Sequence, residues 1–176
     1  MSAAVLWFSG LSGSGKTTIA NELKKKIENR GYTVRVFDGD DIRNSEHKHL
    51  GFTREDIEEN NRLIAQLCLK NIDGYDFILV PIISPFLKSR EMAREILGDS
   101  FIEIYIKASL DECMRRDVKG LYKKALRGEI EHFIGISVDV QYEIPKDPEV
   151  IVETQKENVD ESVEKIVSYM NMRKIE

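Results

Sequence analysis

Four residues at fixed spacing carry the first chemical signal. Gly10, Gly15, Lys16 and Thr17 satisfy G-x-x-x-x-G-K-[ST] within Gly10-Leu11-Ser12-Gly13-Ser14-Gly15-Lys16-Thr17, the pattern of a loop that cradles nucleotide phosphates. Glycines at Gly13 and Gly15 let successive backbone N–H groups curl around one anion. The start of the following helix adds its partial positive charge. Lys16 is placed to bridge the β- and γ-phosphates, and the Thr17 hydroxyl to ligate Mg²⁺. The expected phosphate-contacting set is Gly10, Ser12, Gly13, Ser14, Gly15, Lys16, Thr17 and Thr18, and the expected ligands are ATP and Mg²⁺.

Such a loop specifies a nucleotide and leaves the reaction open. Asp38-Gly39-Asp40, followed by Arg43, adds a carboxylate that either holds Mg²⁺ or takes the proton of an attacking hydroxyl. The alternative is an acidic cap in a turn. The third apolar run, Phe77–Ile83, lacks the terminal Asp of many P-loop ATPases, so Asp40 is the acidic candidate for metal and proton alike. From Arg115 to Arg127, six Lys/Arg stand against one Asp. They form either a solvated helix face or a lid hinged at Lys119-Gly120 that brings cations to a transferring phosphoryl group. Phe52 and Phe133 are either base-stacking aromatics, worth roughly 1–3 kcal/mol per base, or core anchors.

These residues need a scaffold that gathers them at one edge. Apolar runs alternate with amphipathic, helix-length segments. Strands are expected at Ala4–Ser9, Tyr32–Phe37, Phe77–Ile83, Phe101–Ile106 and around Val150. Helices are expected at Thr17–Arg30, Thr53–Asn71, Leu87–Leu97, Leu110–Arg116 and Val159–Met172. Thr53, with Asp56 three residues on, reads as an N-cap. Alternation of this kind predicts an α/β, three-layer αβα fold of P-loop NTPase type, with a mainly parallel five-stranded sheet. Ligands then bind beyond the carboxyl ends of the strands, where the chemistry-bearing residues cluster.

The chain has 176 residues and a formal net charge of −5. That length predicts one domain over residues 1–176, with a lid at about 115–135. The acidic balance argues against a nucleic-acid partner and says nothing against a small anionic substrate bound in a local basic cleft. No apolar run approaches the ~20 residues of a membrane span, and the N-terminus lacks a basic signal-peptide region. Cys68 and Cys113 fall in helix-like stretches and read as buried free thiols. A cytoplasmic location is expected.

Taken together, these residues resemble the adenylylsulfate kinase family from Trp7 to about Val152. The resemblance is carried by Gly10–Thr17, Asp38-Gly39-Asp40 with Ile42-Arg43, Leu50-Gly51-Phe52, Glu59-Asn60, Ile83-Ser84-Pro85-Phe86, Lys119-Gly120-Leu121-Tyr122-Lys123-Lys124, Phe133 with Gly135-Ile136, and Tyr142-Glu143 with Pro145. It implies transfer of the ATP γ-phosphate to the 3′-hydroxyl of adenylylsulfate, and a homodimer. It implies that Asp40 serves Mg²⁺ and the hydroxyl, that Arg43, Asn60 and Ile83 lie against the acceptor, and that Phe52 and Phe133 sandwich its base. Lys16 and Lys119 join Asp40 as catalytic residues. In the family the serine matching Ser84 is sometimes described as a phosphorylated intermediate; read from the residues, Ser84 before Pro85 is a turn hydroxyl.

The chain departs from the family pattern at Ile57, where the family usually has Arg, at Leu63, at Pro81-Ile82, and in a segment between Ile136 and Tyr142 about two residues longer. Losing one charge-assisted contact costs about 1.5–3 kcal/mol. Either Arg54, one helical turn before Ile57, supplies a substitute, or the acceptor differs. The alternative acceptor is cytidine diphosphoramidate, phosphorylated at the same hydroxyl in capsular polysaccharide modification. A nucleotide-binding module without turnover would require a broken catalytic set, whereas Lys16, Thr17, Asp40 and Arg43 are all present.

Overall fold

The computed structural model describes residues 3–172. In chain order the elements are β1 (Ala4–Ser9), α1 (Lys16–Glu28), β2 (Val34–Val36), α2 (Gly39–Ser45), α3 (Arg54–Lys70), β3 (Phe77–Pro81), α4 (Leu87–Leu97), β4 (Phe101–Lys107), α5 (Leu110–Arg116), α6 (Leu121–Leu126), β5 (Val150–Glu153) and α7 (Val159–Met172). The strands form one sheet in the order β2-β3-β1-β4-β5, and every pairing is parallel. A parallel sheet is stable when helices cover both faces, and β1 shows how that is done. Its alternate residues point to opposite faces. Leu6 and Phe8 join Ile19 and Leu23 of α1 and Ile166 and Met170 of α7. Val5 and Trp7 join Ile64 and Cys68 of α3 and Ala93 and Leu97 of α4. The three-layer αβα architecture expected from the alternating pattern is the one observed.

Trp7 is fully buried. Its ring lies 5.8 Å from that of Phe101, and its Nε1 has no hydrogen-bond partner among the described residues. One buried ion pair crosses from helix to sheet. Arg90 Nε lies 3.0 Å from Glu103 Oε1, with side chains 3% and 8% exposed, and Ser9 Oγ donates to the same carboxylate at 3.1 Å.

Besides small shifts at element ends and the short helix α6, β2, β3 and α2 differ from the sequence expectation. β2 is three residues long rather than six, because only Val34–Val36 finds register on β3. β3 stops at Pro81, two residues early; proline has no N–H for a lateral neighbour, and β2 has already ended beside Leu79. α2 was expected only as a turn. It forms because Asp38 caps it, its Oδ1 accepting from Asp40 N at 2.9 Å. Both cysteines are free and buried, and burial pushes the Cys68 thiol up to about 12. Among the described residues, no helix is long and apolar enough to cross a membrane.

Candidate active site

All five strands end on the same edge, so the loops after β1, β2 and β3 meet there. The chain leaves β1 through Gly10 at φ +150°. A Cβ on Gly10 would lie 2.5 Å from the Ile106 carbonyl oxygen, so glycine is required for the loop to press against β4. Gly13 and Gly15 follow at φ +75° and +109°, values that glycine alone adopts freely. Ser12, Gly13, Gly15, Lys16, Thr17 and Thr18 line a cavity of about 470 Å³, whereas Gly10 and Ser14, both expected to touch phosphate, are buried and do not line it.

The loop is held from behind by a residue that sequence reasoning assigned only to a basic run. Arg116, the last residue of α5, donates from Nη1 to the Gly13 and Ser14 carbonyls at 3.3 Å each. Its Nη2 donates to the Thr154 carbonyl at 3.0 Å, and Thr154 Oγ1 donates to Ser14 O at 2.8 Å. Because a peptide unit is planar and trans, fixing the Ser14 carbonyl turns the Gly15 N–H the opposite way. Of the six clustered cations, Lys119 lines the cavity, while Arg115 is largely exposed and pairs with Glu112.

Lys16 is 8% exposed and donates from Nζ to Leu11 O at 2.7 Å. Burial pushes its ammonium down to about 8, with the Asp40 carboxylate opposing that shift. Thr17 Oγ1 donates to Asp38 Oδ2 at 3.0 Å. Asp40 instead pairs with Lys119 Nζ. The two aspartates therefore take separate partners, where the sequence argument had given metal and proton both to Asp40. No cluster of three or more His, Cys, Asp or Glu suited to a metal exists among the described residues. A cation here gets one or two protein oxygens and must take the rest from phosphate and water, which is how Mg²⁺ is usually bound. The Thr17–Asp38 pair beside the phosphate loop fits that ion.

The other half of the cavity is the wall expected for an acceptor. Arg43, Phe52, Asn60, Ile83, Ser84 and Phe133 all line it. Arg43 donates from Nη1 to Gly51 O at 2.5 Å and Leu50 O at 3.3 Å, and its guanidinium lies 4.6 Å over the Phe52 ring. Phe52 is 52% exposed, free of the core that was its alternative. Phe133 is half-buried and stands edge-on to Tyr122 at 5.0 Å, and the Tyr122 hydroxyl donates to Ser12 O at 2.9 Å. Ser84 has φ +46°. It is 1% exposed, and its Oγ has no partner among the described residues; its carbonyl accepts from Arg90 Nη1 at 2.5 Å. Asn60 Oδ1 lies 2.9 Å from His47 Nδ1, a partner sequence reasoning did not single out.

Of the family departures, Ile57, Pro81 and Ile82 line the cavity and Leu63 does not. Arg54 is not the substitute considered above. It donates to Glu143 at 3.0 Å and Glu58 at 3.2 Å and lies 4.0 Å over the Phe86 ring, outside the cavity wall. Ile57 itself packs with Phe86 and Val140.

Comparison with known proteins shows the family of the chain. A family model described as adenylylsulphate kinase matches residues 2–153. An adenylyl-sulfate kinase of Clostridium acetobutylicum is 44% identical over 172 residues, spanning 98% of this chain and 85% of that protein. One from Halothermothrix orenii is 47% identical over 169 residues, spanning 94% and 88%. The solved structure of the Mycobacterium tuberculosis APS kinase CysC in complex with AMPPNP and APS matches with a TM-score of 0.91 at 35% identity, over 97% of this chain and 98% of that one.

Proposed function

Because the chain belongs to the adenylylsulfate kinase family, we propose that its cavity is where the γ-phosphate of ATP passes to the 3′-hydroxyl of adenylylsulfate, giving 3′-phosphoadenylylsulfate and ADP. The observation that carries this reading is continuity. The phosphate loop and the Arg43–Phe52–Asn60–Phe133 wall share one volume, with Asp40 lining it between them in the chain.

The geometry supports a role for each group. Lys16 and the loop amides hold the ATP phosphates. Thr17 and Asp38 would hold Mg²⁺, which when bound would neutralise charge on the transferring group. Asp40 orients the acceptor hydroxyl and takes its proton. Lys119, carried on a lid at about 115–135, gives up its Asp40 partner to meet the charge that develops on the phosphoryl oxygens. Arg43 faces the anionic part of the acceptor and Phe52 stacks its base. Ser84 shapes the wall from a strained turn and forms no phosphoenzyme, since transfer of this type runs by positioning and in-line displacement. A homodimer is the proposed assembly, measurable by sedimentation equilibrium.

The test is steady-state kinetics with Mg-ATP, comparing adenylylsulfate with cytidine diphosphoramidate. A kcat/KM preference of about a hundredfold or more for adenylylsulfate is expected, with phosphorus NMR placing the new phosphate on the 3′ position. The opposite preference overturns the reading and assigns the Ile57, Pro81 and Ile82 wall to a cytidine acceptor.

A further inference from the structure

His47 stands behind the acceptor wall. It is 7% exposed and takes no part in lining the cavity, yet its Nδ1 lies 2.9 Å from Oδ1 of Asn60, which does line it. An amide oxygen only accepts, so the His47 Nδ1 carries the proton of this bond. With Oδ1 turned to the imidazole, the Asn60 Nδ2 amine is the branch left over. Nδ2 makes no hydrogen bond among the described residues and is not sealed from solvent.

The ring is itself well anchored. His47 N donates to Ile42 O at 3.1 Å, and its carbonyl accepts from Leu50 N at 3.0 Å. The same turn supplies the Leu50 and Gly51 carbonyls that hold Arg43. One loop therefore fixes two donors on the acceptor side: the Arg43 guanidinium directly, and the Asn60 amine through His47.

We propose that His47 is a positioning residue for the acceptor, holding the Asn60 amide so that its Nδ2 amine is offered to an oxygen of the acceptor nucleotide. This rests on the reading that Asn60 belongs to the acceptor wall. Without His47 the amide has two orientations of similar energy, and one of them aims Oδ1 at an electron-rich group. The acceptor then meets a half-populated donor and must order it on binding.

The test uses the full chain, Mg-ATP and adenylylsulfate. His47→Leu raises the KM for adenylylsulfate about five- to tenfold, the scale of one neutral hydrogen bond. It leaves kcat and the KM for ATP within about twofold. His47→Asn restores the wild-type KM, because asparagine Nδ2 takes the place of imidazole Nδ1. His47→Gln, whose amine falls nearer the Nε2 position, does not. In an Asn60→Ala background, His47→Leu adds nothing, since its effect runs through that amide. An adenylylsulfate KM unmoved by Asn60→Ala refutes the assignment of Asn60 to the acceptor wall and the proposal with it. If Asn60→Ala raises that KM but His47→Leu does not, or adds the same factor in both backgrounds, the role of His47 alone is refuted. Should His47→Leu not fold, the Asn and Gln variants decide: equal acceptor KM values for the two overturn the proposal.

Discussion

Raising the pH from about 7 to about 9.5 titrates a group at the centre of the phosphate loop. Lys16 is 8% exposed, and burial holds its ammonium down at about 8 against an ordinary 10.5. Only the charged form attracts phosphate. At pH 9 about one in eleven free enzyme molecules carries that charge, so kcat/KM for ATP, which reports the free enzyme, falls about tenfold below its plateau. Bound phosphates restore the charge by raising the pKa, and kcat at saturating ATP stays level across the same range. At pH 8.5 about three-quarters of the free lysines are neutral, so ATP binding takes up about three-quarters of a proton. Calorimetry in buffers of different ionisation enthalpy measures that uptake. Stability of the ligand-free protein moves with the same group. The folded pKa lies below the unfolded one, so the unfolded chain binds more protons between about 8 and 10.5, and stability rises with pH through that window. The span of 10.5 − 8, about 2.5 pH units, corresponds to about 3 kcal/mol. A kcat/KM profile flat to about pH 9.5, together with no proton uptake, refutes the argument that burial has displaced this lysine.

Three further outcomes are expected. Arg90→Leu leaves Glu103 buried without its cation, costing about 3–5 kcal/mol in urea denaturation, and a second change, Glu103→Leu, recovers part of the loss. Gly10→Ala puts a Cβ 2.5 Å from the Ile106 carbonyl at φ +150°; it lowers the melting temperature and weakens ATP binding together, because loop and strand must shift to admit it. Asp40→Ala abolishes phosphoryl transfer in a coupled ADP assay while ATP binding changes by less than about threefold, since the loop and the Thr17–Asp38 pair remain intact; surviving turnover removes Asp40 from the mechanism.

The phosphate loop was legible because its chemistry is local: four residue types at fixed spacing between a strand and a helix. The sheet was legible for a related reason, since Val5 to Phe8 and Phe77 to Val80 are apolar on both faces and only a doubly covered strand tolerates that. What escaped was tertiary. Arg116 looks like any cation in a charged run until Gly13, Ser14 and Thr154, far away in sequence, arrive around it. His47 is one polar residue among several until α3 brings Asn60 against it. Asp38 and Asp40 are chemically identical in the sequence, and only the course of α2 sends one to Thr17 and the other to Lys119. Arg54 fails as a stand-in for a missing cation because Glu58, Glu143 and Phe86 engage it elsewhere.

The single tryptophan of the chain gives the molecule a built-in optical probe. Trp7 is sealed on β1 with no polar partner for its indole N–H among the described residues, so its fluorescence is that of an indole in an apolar medium until the sheet comes apart. The signal from that one residue therefore separates global unfolding from events in the cavity. Nucleotide binding leaves its emission colour nearly unchanged, whereas denaturation shifts it to the red, and the stability effects at Lys16 and Arg90 can be read without attaching a dye.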